Sequence, residues 1–191
     1  MRHRDSLVPP PTGQILFIGS SSFTRWVDVQ KAFPDRKITN RAFGGSTLED
    51  QIRYFSAVVG PCRPRQIVIY CGENDFANAE NLPVEVVVER FKTLFSMIRG
   101  QDRRVRVVYV SMKPSPSRAH LMPKYLAANQ QIEAFLHKKQ RTGFVDVFSK
   151  MLGADGQPRP EIFGDDRLHM NAAGYAIWQR AIEPFLVKNQ K

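Results

Sequence analysis

Residues 14–22 read Gln14-Ile15-Leu16-Phe17-Ile18-Gly19-Ser20-Ser21-Ser22, and this stretch gives the clearest indication of the fold. Four consecutive apolar residues, with no polar residue between them, are typical of a strand that is buried on both faces, as in a parallel sheet. The glycine and the three serines that follow end the strand and lead into a helical pattern. The stretch therefore predicts a buried strand and a tight turn into a helix.

The same succession of strand and helix recurs along the rest of the chain. Further strands are predicted within 37–43, 66–71, 105–110 and 144–147. Helices are predicted over about 23–33, 46–60, 83–100 and 123–140, and from Asn171 or Ala172 onward. Ser46 as N-cap, with Glu49 three residues later, predicts a capping box at the start of the second helix.

This order of elements predicts a single domain. Strands that alternate with helices favour a three-layer α/β/α architecture of flavodoxin-like type, with a five-stranded, mostly parallel sheet. We expect residues 14–191 to form this domain and the polar, proline-rich residues 1–13 to form a flexible N-terminal segment. In such sheets the ligand cleft lies at the carboxyl ends of the strands, so the chemistry is expected there.

Composition excludes several other classes of protein. The chain has 191 residues, of which 42% are hydrophobic and 24% charged, which is ordinary for a globular domain with a sizeable core. No stretch reaches 18 apolar residues free of charge, so no membrane span is predicted. The N-terminus has no apolar signal segment, and the sequence fits both a cytoplasmic protein and a secreted protein whose leader has been removed.

Cysteine and histidine usage predicts neither a disulfide scaffold nor a metal site. The two cysteines are Cys62 and Cys71, and Cys71 ends an apolar run and is interpreted as a buried core thiol. The four histidines form no close pair, and the sequence contains no CxxC motif. We therefore expect no metal in the site.

The charge balance is strongly basic, with 28 lysines and arginines against 18 acidic residues and a formal net charge of +10. The densest basic clusters are Arg99, Arg103, Arg104 and Arg106, and Lys138, Lys139 and Arg141. They fit either a nucleic-acid surface or a solvated basic face near helix C-termini, where cations oppose the helix dipole. The wide spread of the charges favours the solvated face, and no nucleic-acid partner is expected.

Four segments at predicted strand ends or in late loops carry reactive groups: 19–22, 44–45, 72–75 and 166–169. A serine at a strand-to-helix turn can act as a nucleophile, and glycine or asparagine N–H groups can bind an oxyanion. An aspartate three residues before a histidine can hold the imidazole in the tautomer that accepts a proton from serine. Taken singly, each segment has a plainer interpretation as a helix cap, a tight turn, an Asx turn or a structural histidine.

Taken together, the four segments resemble the blocks of the SGNH hydrolases, the GDSL-type esterase and lipase superfamily. The matching residues are Phe17-Ile18-Gly19-Ser20-Ser21, Phe43-Gly44-Gly45-Ser46-Thr47, Gly72-Glu73-Asn74-Asp75 and Asp166-Arg167-Leu168-His169. They occur in the order of the family and span most of the chain. One difference is that Ser20 stands where the family usually has the aspartate of its G-D-S motif.

The resemblance implies a role for each matching residue. Ser21 would be the nucleophile, His169 the general base and Asp166 the acid that orients it. The backbone N–H groups of Ser21 and Gly45 and the side-chain amide of Asn74 would form the oxyanion hole. Neither cofactor nor metal would be needed.

The resemblance implies a small-molecule ester as substrate, and three functions remain open at this point. The first is a serine esterase for short acyl chains, such as acetylated carbohydrates or other small esters. The second is a lysophospholipase or thioesterase. The third is a non-catalytic module that binds an anion at the serine-rich helix start. Short chains are favoured because no long lid insertion separates the blocks. Five bulky residues lie beside the blocks, and a core position is favoured for each, but the acyl site would be small if several of them line it: Phe23, Trp26, Phe43, Phe76 and Met170.

Overall fold

The computed structural model describes residues 9–188, and the first eight residues of the expected flexible segment lie outside this range. Five strands form one sheet in which every neighbouring pair is parallel. The strands are β1 (Ile15–Gly19), β2 (Ile38–Asn40), β3 (Gln66–Tyr70), β4 (Arg106–Val110) and β5 (Thr142–Val145). Their order in the sheet is β2-β1-β3-β4-β5. The predicted five-stranded parallel sheet is confirmed.

Helices cover both faces of the sheet, which completes the three-layer α/β/α fold. They are α1 (Ser21–Thr24), α2 (Val29–Ala32), α3 (Leu48–Arg53), α4 (Phe55–Val58), α5 (Glu73–Asn78), α6 (Val84–Gln101), α7 (Met122–His137) and α8 (Ala172–Ile182). Short 3-10 helices lie at Gly60–Cys62, Pro116–Leu121, Ser149–Met151, Pro160–Ile162 and Glu183–Phe185. None of the helices within residues 9–188 has the length and apolar character needed to cross a bilayer.

Alternate residues of β1, β3, β4 and β5 supply two separate hydrophobic cores. Leu16 and Ile18 of β1 pack with α3, α4, α6 and α7 on one face. Ile15 and Phe17 pack on the other face with α1, α2 and α8, where Trp178 is fully buried. Because side chains alternate along a strand, one continuous apolar run contributes to both cores, as the sequence of β1 predicted.

The order of the strands places a topological switch point between β1 and β3. The chain leaves β1 toward β2 on one side and returns to β3 on the other. At such a point the loops after the two strands diverge and leave a crevice at their carboxyl ends. The segments that follow Gly19 and Tyr70 therefore flank one crevice, and these are the segments that carry Ser21 and Asn74.

The predicted capping box is wrong in its register. Thr47, not Ser46, is the N-cap of α3, and its partner at the third helical position is Asp50, not Glu49. The Thr47 side chain accepts from the Asp50 backbone N–H, and Asp50 accepts from that of Thr47. Ser46 does not cap the helix, because its hydroxyl donates to the Gly19 carbonyl instead.

Several element boundaries also differ from the sequence-based expectation. Two long helices, expected over 23–33 and 46–60, are each divided into short segments. The segment after β3, interpreted as a turn, begins the helix α5, and Gly100 lies inside α6 rather than ending it. Asn and Asp favour turns, but Asn74 and Asp75 lie in the first turn of α5, where their side chains bond to Ser46 and Leu48.

Glycine is required at position 19 by the approach of β1 to β3. Gly19 has a φ of 127°, and a Cβ there would lie 1.8 Å from the carbonyl oxygen of Tyr70. That same oxygen accepts a hydrogen bond of 2.9 Å from the Ser20 N–H. Both the backbone conformation and the contact therefore exclude any side chain at this position.

We expect Gly19→Ala to lower the free energy of unfolding by about 3 kcal/mol or more, because strand displacement and positive φ are both penalised. Gly100→Ala is the matched control. It lies within α6 with nothing within 4 Å of an added Cβ, so we expect a gain of about 0.5–1 kcal/mol. Urea unfolding followed by circular dichroism measures both. Equal effects of the two substitutions would contradict the proposed close contact.

Candidate active site

Burial distinguishes the three consecutive serines after β1. Ser20 and Ser22 are 0% and 1% exposed, whereas Ser21 is partly exposed at the start of α1. The N–H of Ser20 bonds to β3, which fixes the turn and directs the next side chain away from the core. Of the three, only Ser21 bonds to the predicted histidine. The structure thus places the predicted nucleophile where a substrate can reach it.

A short turn builds the predicted Asp-His pair. Asp166 Oδ1 accepts the backbone N–H groups of Leu168 and His169 at 3.0 and 2.8 Å. Arg167, which follows Asp166 in the chain, adopts a left-handed conformation with φ of 52°, which tightens the turn. The turn is closed by the Gly164 N–H, which donates to the His169 carbonyl at 2.8 Å. Three residues of spacing therefore bring the carboxylate back onto the imidazole.

Asp166, His169 and Ser21 form one hydrogen-bonded chain. Asp166 Oδ2 lies 2.6 Å from His169 Nδ1, and His169 Nε2 lies 3.0 Å from Ser21 Oγ. A carboxylate only accepts, so in the neutral imidazole Nδ1 carries the proton and Nε2 can accept from the serine hydroxyl. The hydrogen bonds from His169 and Leu168 hold the pKa of the Asp166 carboxyl well below its usual range. The chain has the connectivity of a nucleophile, a base and an orienting acid.

Ser46 ties together the ends of β1 and β3. Its Oγ donates to the Gly19 carbonyl at 2.9 Å and accepts from Gln51 Nε2 at 2.9 Å. Its carbonyl accepts from Asn74 Nδ2 at 3.0 Å. One buried residue after the Gly-Gly turn thus joins three of the four segments singled out in the sequence.

Gly45 and Asn74, two of the predicted oxyanion donors, lie on either side of Ser46. Gly45 is exposed in the turn before Ser46, with a φ of 76° that favours glycine. Asn74 lies in the first turn of α5 and is 6% exposed. One hydrogen of its amide is used on Ser46, and the second hydrogen remains available for a ligand.

Three charged side chains near Asn74 have a place in the site that the sequence did not predict: Glu73, Lys113 and Arg118. Glu73 and Lys113 are 2% and 0% exposed and are joined at 3.3 Å. Arg118 Nη1 donates to Asn74 Oδ1 at 3.0 Å. No motif in the sequence marks Lys113 or Arg118. Both follow β4, at the edge of the sheet where Ser21 lies, and this position is the signal that could identify them.

The structure also shows where the bulky residues and the two cysteines named in the sequence analysis lie. Phe23, Trp26, Phe76 and Met170 are at most 7% exposed and belong to the cores, whereas Phe43 is partly exposed. Cys62 and Cys71 are both buried and unbridged. Within residues 9–188, no three side chains of the metal-binding types are grouped closely enough to hold an ion.

The basic clusters lie together at the ends of α6 and α7. Arg99 donates to the carbonyl groups of Arg103, Val105 and Gln140, at 2.5–2.8 Å. It also stacks at 5.1 Å over Phe95. These contacts give Arg99 a structural role at the C-terminal end of α6, consistent with a solvated basic face.

Several solved structures share the fold of this chain over most of its length. A GDSL-like lipase from Bacteroides thetaiotaomicron aligns with a TM-score of 0.81 at 20% identity, over 96% of this chain and 93% of its own. A variant of an acetyl-xylooligosaccharide esterase from Geobacillus gives 0.71 at 15% identity, over 95% and 98%. A carbohydrate esterase from Talaromyces cellulolyticus gives 0.71 at 14% identity, over 91% and 95%.

The search of curated proteins returns no match. The model of one family, described as the GDSL-like lipase/acylhydrolase family, matches residues 16–177. This range contains all four segments that the sequence singled out and nearly all of the sheet and its helices. The chain therefore belongs to the GDSL-like lipase/acylhydrolase family, whose general activity is the hydrolysis of esters.

Proposed function

We propose that the protein is a serine esterase with Ser21 as nucleophile, His169 as general base and Asp166 as the orienting acid. The observation that carries the proposal is the unbroken hydrogen-bonded chain from Asp166 Oδ2 through the imidazole to Ser21 Oγ. Ser21 attacks the ester carbonyl carbon while its proton passes to His169 Nε2. The resulting imidazolium is stabilised by the Asp166 carboxylate and returns its proton to the leaving alcohol.

The tetrahedral intermediate places a full negative charge on the former carbonyl oxygen. We propose that the N–H groups of Ser21 and Gly45 and the Asn74 amide donate to this oxygen. The acyl group is then bound to Ser21 Oγ as an ester. Water attacks this acyl-enzyme as its proton passes to His169, and His169 then returns the proton to Ser21 Oγ as the acid is released. This scheme requires no metal or cofactor.

We expect Ser21→Ala to abolish ester hydrolysis and labelling by a fluorophosphonate, because the attacking oxygen is removed. Ser20→Ala and Ser22→Ala are the matched controls. Their hydroxyls are buried, and neither bonds to His169, so both variants keep activity and labelling. Intact-protein mass spectrometry measures the labelling. A wild-type protein that hydrolyses no ester and takes up no label would instead support the anion-binding module.

The substrate that we propose is an ester of a short acyl group, such as an acetylated carbohydrate. The side chain of His169 is 16% exposed and Ser21 is partly exposed, so the reacting groups are open to solvent. Four of the five bulky residues near the blocks belong to the cores, so their size does not restrict the acyl group, and the expectation of a short chain loses this part of its support. Acetyl esterases and carbohydrate esterases are among the solved structures of similar fold.

We expect kcat/KM for p-nitrophenyl esters to fall as the acyl chain is lengthened from acetyl to octanoyl. Because His169 and Ser21 are open to solvent, the extra methylenes of a longer chain would gain little from burial. Acetylated xylo-oligosaccharides are assayed in parallel by acetate release. A rate that rises with chain length, or selective hydrolysis of lysophospholipids or acyl thioesters, would favour the alternative acyl hydrolases.

The pH dependence of kcat/KM is expected to have an acidic limb governed by the imidazole. Because its pKa is lowered, the Asp166 carboxyl stays ionised throughout pH 5–9 and contributes no titration there. A histidine base acts only when neutral, and histidines gain their proton between about pH 5 and 8. We therefore expect a fall that approaches tenfold per pH unit on the acid side. A flat profile from pH 5 to 8, with chemistry rate-limiting, would exclude His169 as the base.

A further inference from the structure

The side-chain amide of Asn74 has its orientation fixed by two neighbours of opposite chemistry. Nδ2 faces the Ser46 carbonyl at 3.0 Å, and that oxygen can only accept. Oδ1 faces Arg118 Nη1 at 3.0 Å, and a guanidinium can only donate. If the amide were rotated by 180°, both contacts would become repulsive. Arg118 and Ser46 therefore hold the amide with its N–H groups on the side away from Arg118.

Arg118 is in turn held by a buried carboxylate. Its Nη1 lies 3.7 Å from Glu73 Oε1, and the Arg118 side chain is 20% exposed. Glu73 immediately precedes Asn74 on α5, so the carboxylate and the amide are presented by the same helical turn. The guanidinium is thus drawn toward this turn by charge and contacts the amide through a charge-assisted hydrogen bond.

Two further side chains immobilise Glu73 from below. Tyr70 Oη donates to Glu73 Oε2 at 2.5 Å, and Lys113 Nζ lies 3.3 Å from the same oxygen. Burial, together with the Glu73 charge, raises the pKa of the Tyr70 phenol, which therefore remains a hydrogen-bond donor. Burial lowers the pKa of the Lys113 ammonium, and the Glu73 carboxylate opposes this shift. A buried charge cluster of this kind is costly unless all of its members are paired.

We propose that Arg118 is a positioning residue, which acts through Asn74 by locking the amide in the orientation that donates to the oxyanion. This proposal rests on the proposed serine-esterase function. An amide that is free to rotate would present its oxygen to the developing negative charge for part of the time. Fixing the amide before the reaction avoids that penalty, which is the advantage of preorganised donors.

The test is a double-mutant cycle on kcat with p-nitrophenyl acetate, normalised to sites titrated by a fluorophosphonate. Asn74→Ala removes the donor and is expected to lower kcat by roughly 100-fold to 1,000-fold. Arg118→Met leaves the donor but frees its orientation, with an expected loss of about 10-fold to 100-fold and little change in KM. In the Asn74→Ala background, Arg118→Met is expected to have no further effect.

Control variants separate positioning from stability. Arg159→Met removes an arginine that is paired at 2.8 Å with Glu161, away from Asn74, and is expected to leave kcat unchanged. If Arg118→Met does not fold, the same cycle is run with Arg118→Lys, which keeps a positive charge opposite Glu73. The lysine lacks the planar guanidinium, so we again expect a loss of kcat that disappears in the Asn74→Ala background.

The outcomes distinguish this proposal from the function on which it rests. Losses that multiply in the double variant would overturn it, because Arg118 would then act on the substrate or on the fold. Wild-type kcat in either single variant would overturn it as well. Failure of the esterase function has a different signature, since the wild-type protein would then neither hydrolyse esters nor be labelled at Ser21.

Discussion

The close contact of β1 with β3 at Gly19 is the constraint on which the active site depends. The Tyr70 carbonyl occupies the space where a side chain at position 19 would lie, 1.8 Å from the Cβ position. Only glycine fits at position 19, because any side chain there would overlap with β3. The next residue, Ser20, donates its backbone N–H to the Tyr70 carbonyl of β3. This turn buries Ser20 and Ser22 and leaves Ser21 at the crevice. The switch in strand order at the same place keeps that crevice open.

The site has two sides of different construction. On one side, Asp166 and His169 lie on a surface turn that is held by local backbone hydrogen bonds. On the other side, Asn74 is held through buried contacts by groups from several elements. In the proposed mechanism His169 accepts and releases protons, and contact with solvent assists this. Asn74 would donate to the oxyanion from one orientation, and burial among fixed partners maintains that orientation.

Two of the differences from the sequence-based expectation arise at residues whose hydrogen-bond partners are distant in sequence. Ser46 is a common helix-capping residue, but its hydroxyl donates to the Gly19 carbonyl of β1, and Thr47 is the cap instead. Asn74 is a residue that favours turns, but it lies on a helix, where its amide bonds to Ser46 and Arg118. In both cases a bond to a partner distant in sequence outweighs the local preference of the residue. No pattern within a short window contains that information.

The parallel α/β/α fold could be predicted from the sequence, because its strands are continuous apolar runs and its helices have apolar faces of regular period. The four segments of the candidate site could be predicted as well, because each follows a strand or precedes the last helix. The resemblance implied Ser21, but that its hydroxyl faces His169 follows from how the turn after Gly19 packs against β3. The contacts of Arg118 with Asn74 and of Lys113 with Glu73 could be seen only in the folded chain. These contacts join residues 40 and more positions apart, and they form because the parallel sheet gathers the carboxyl ends of its strands at one edge.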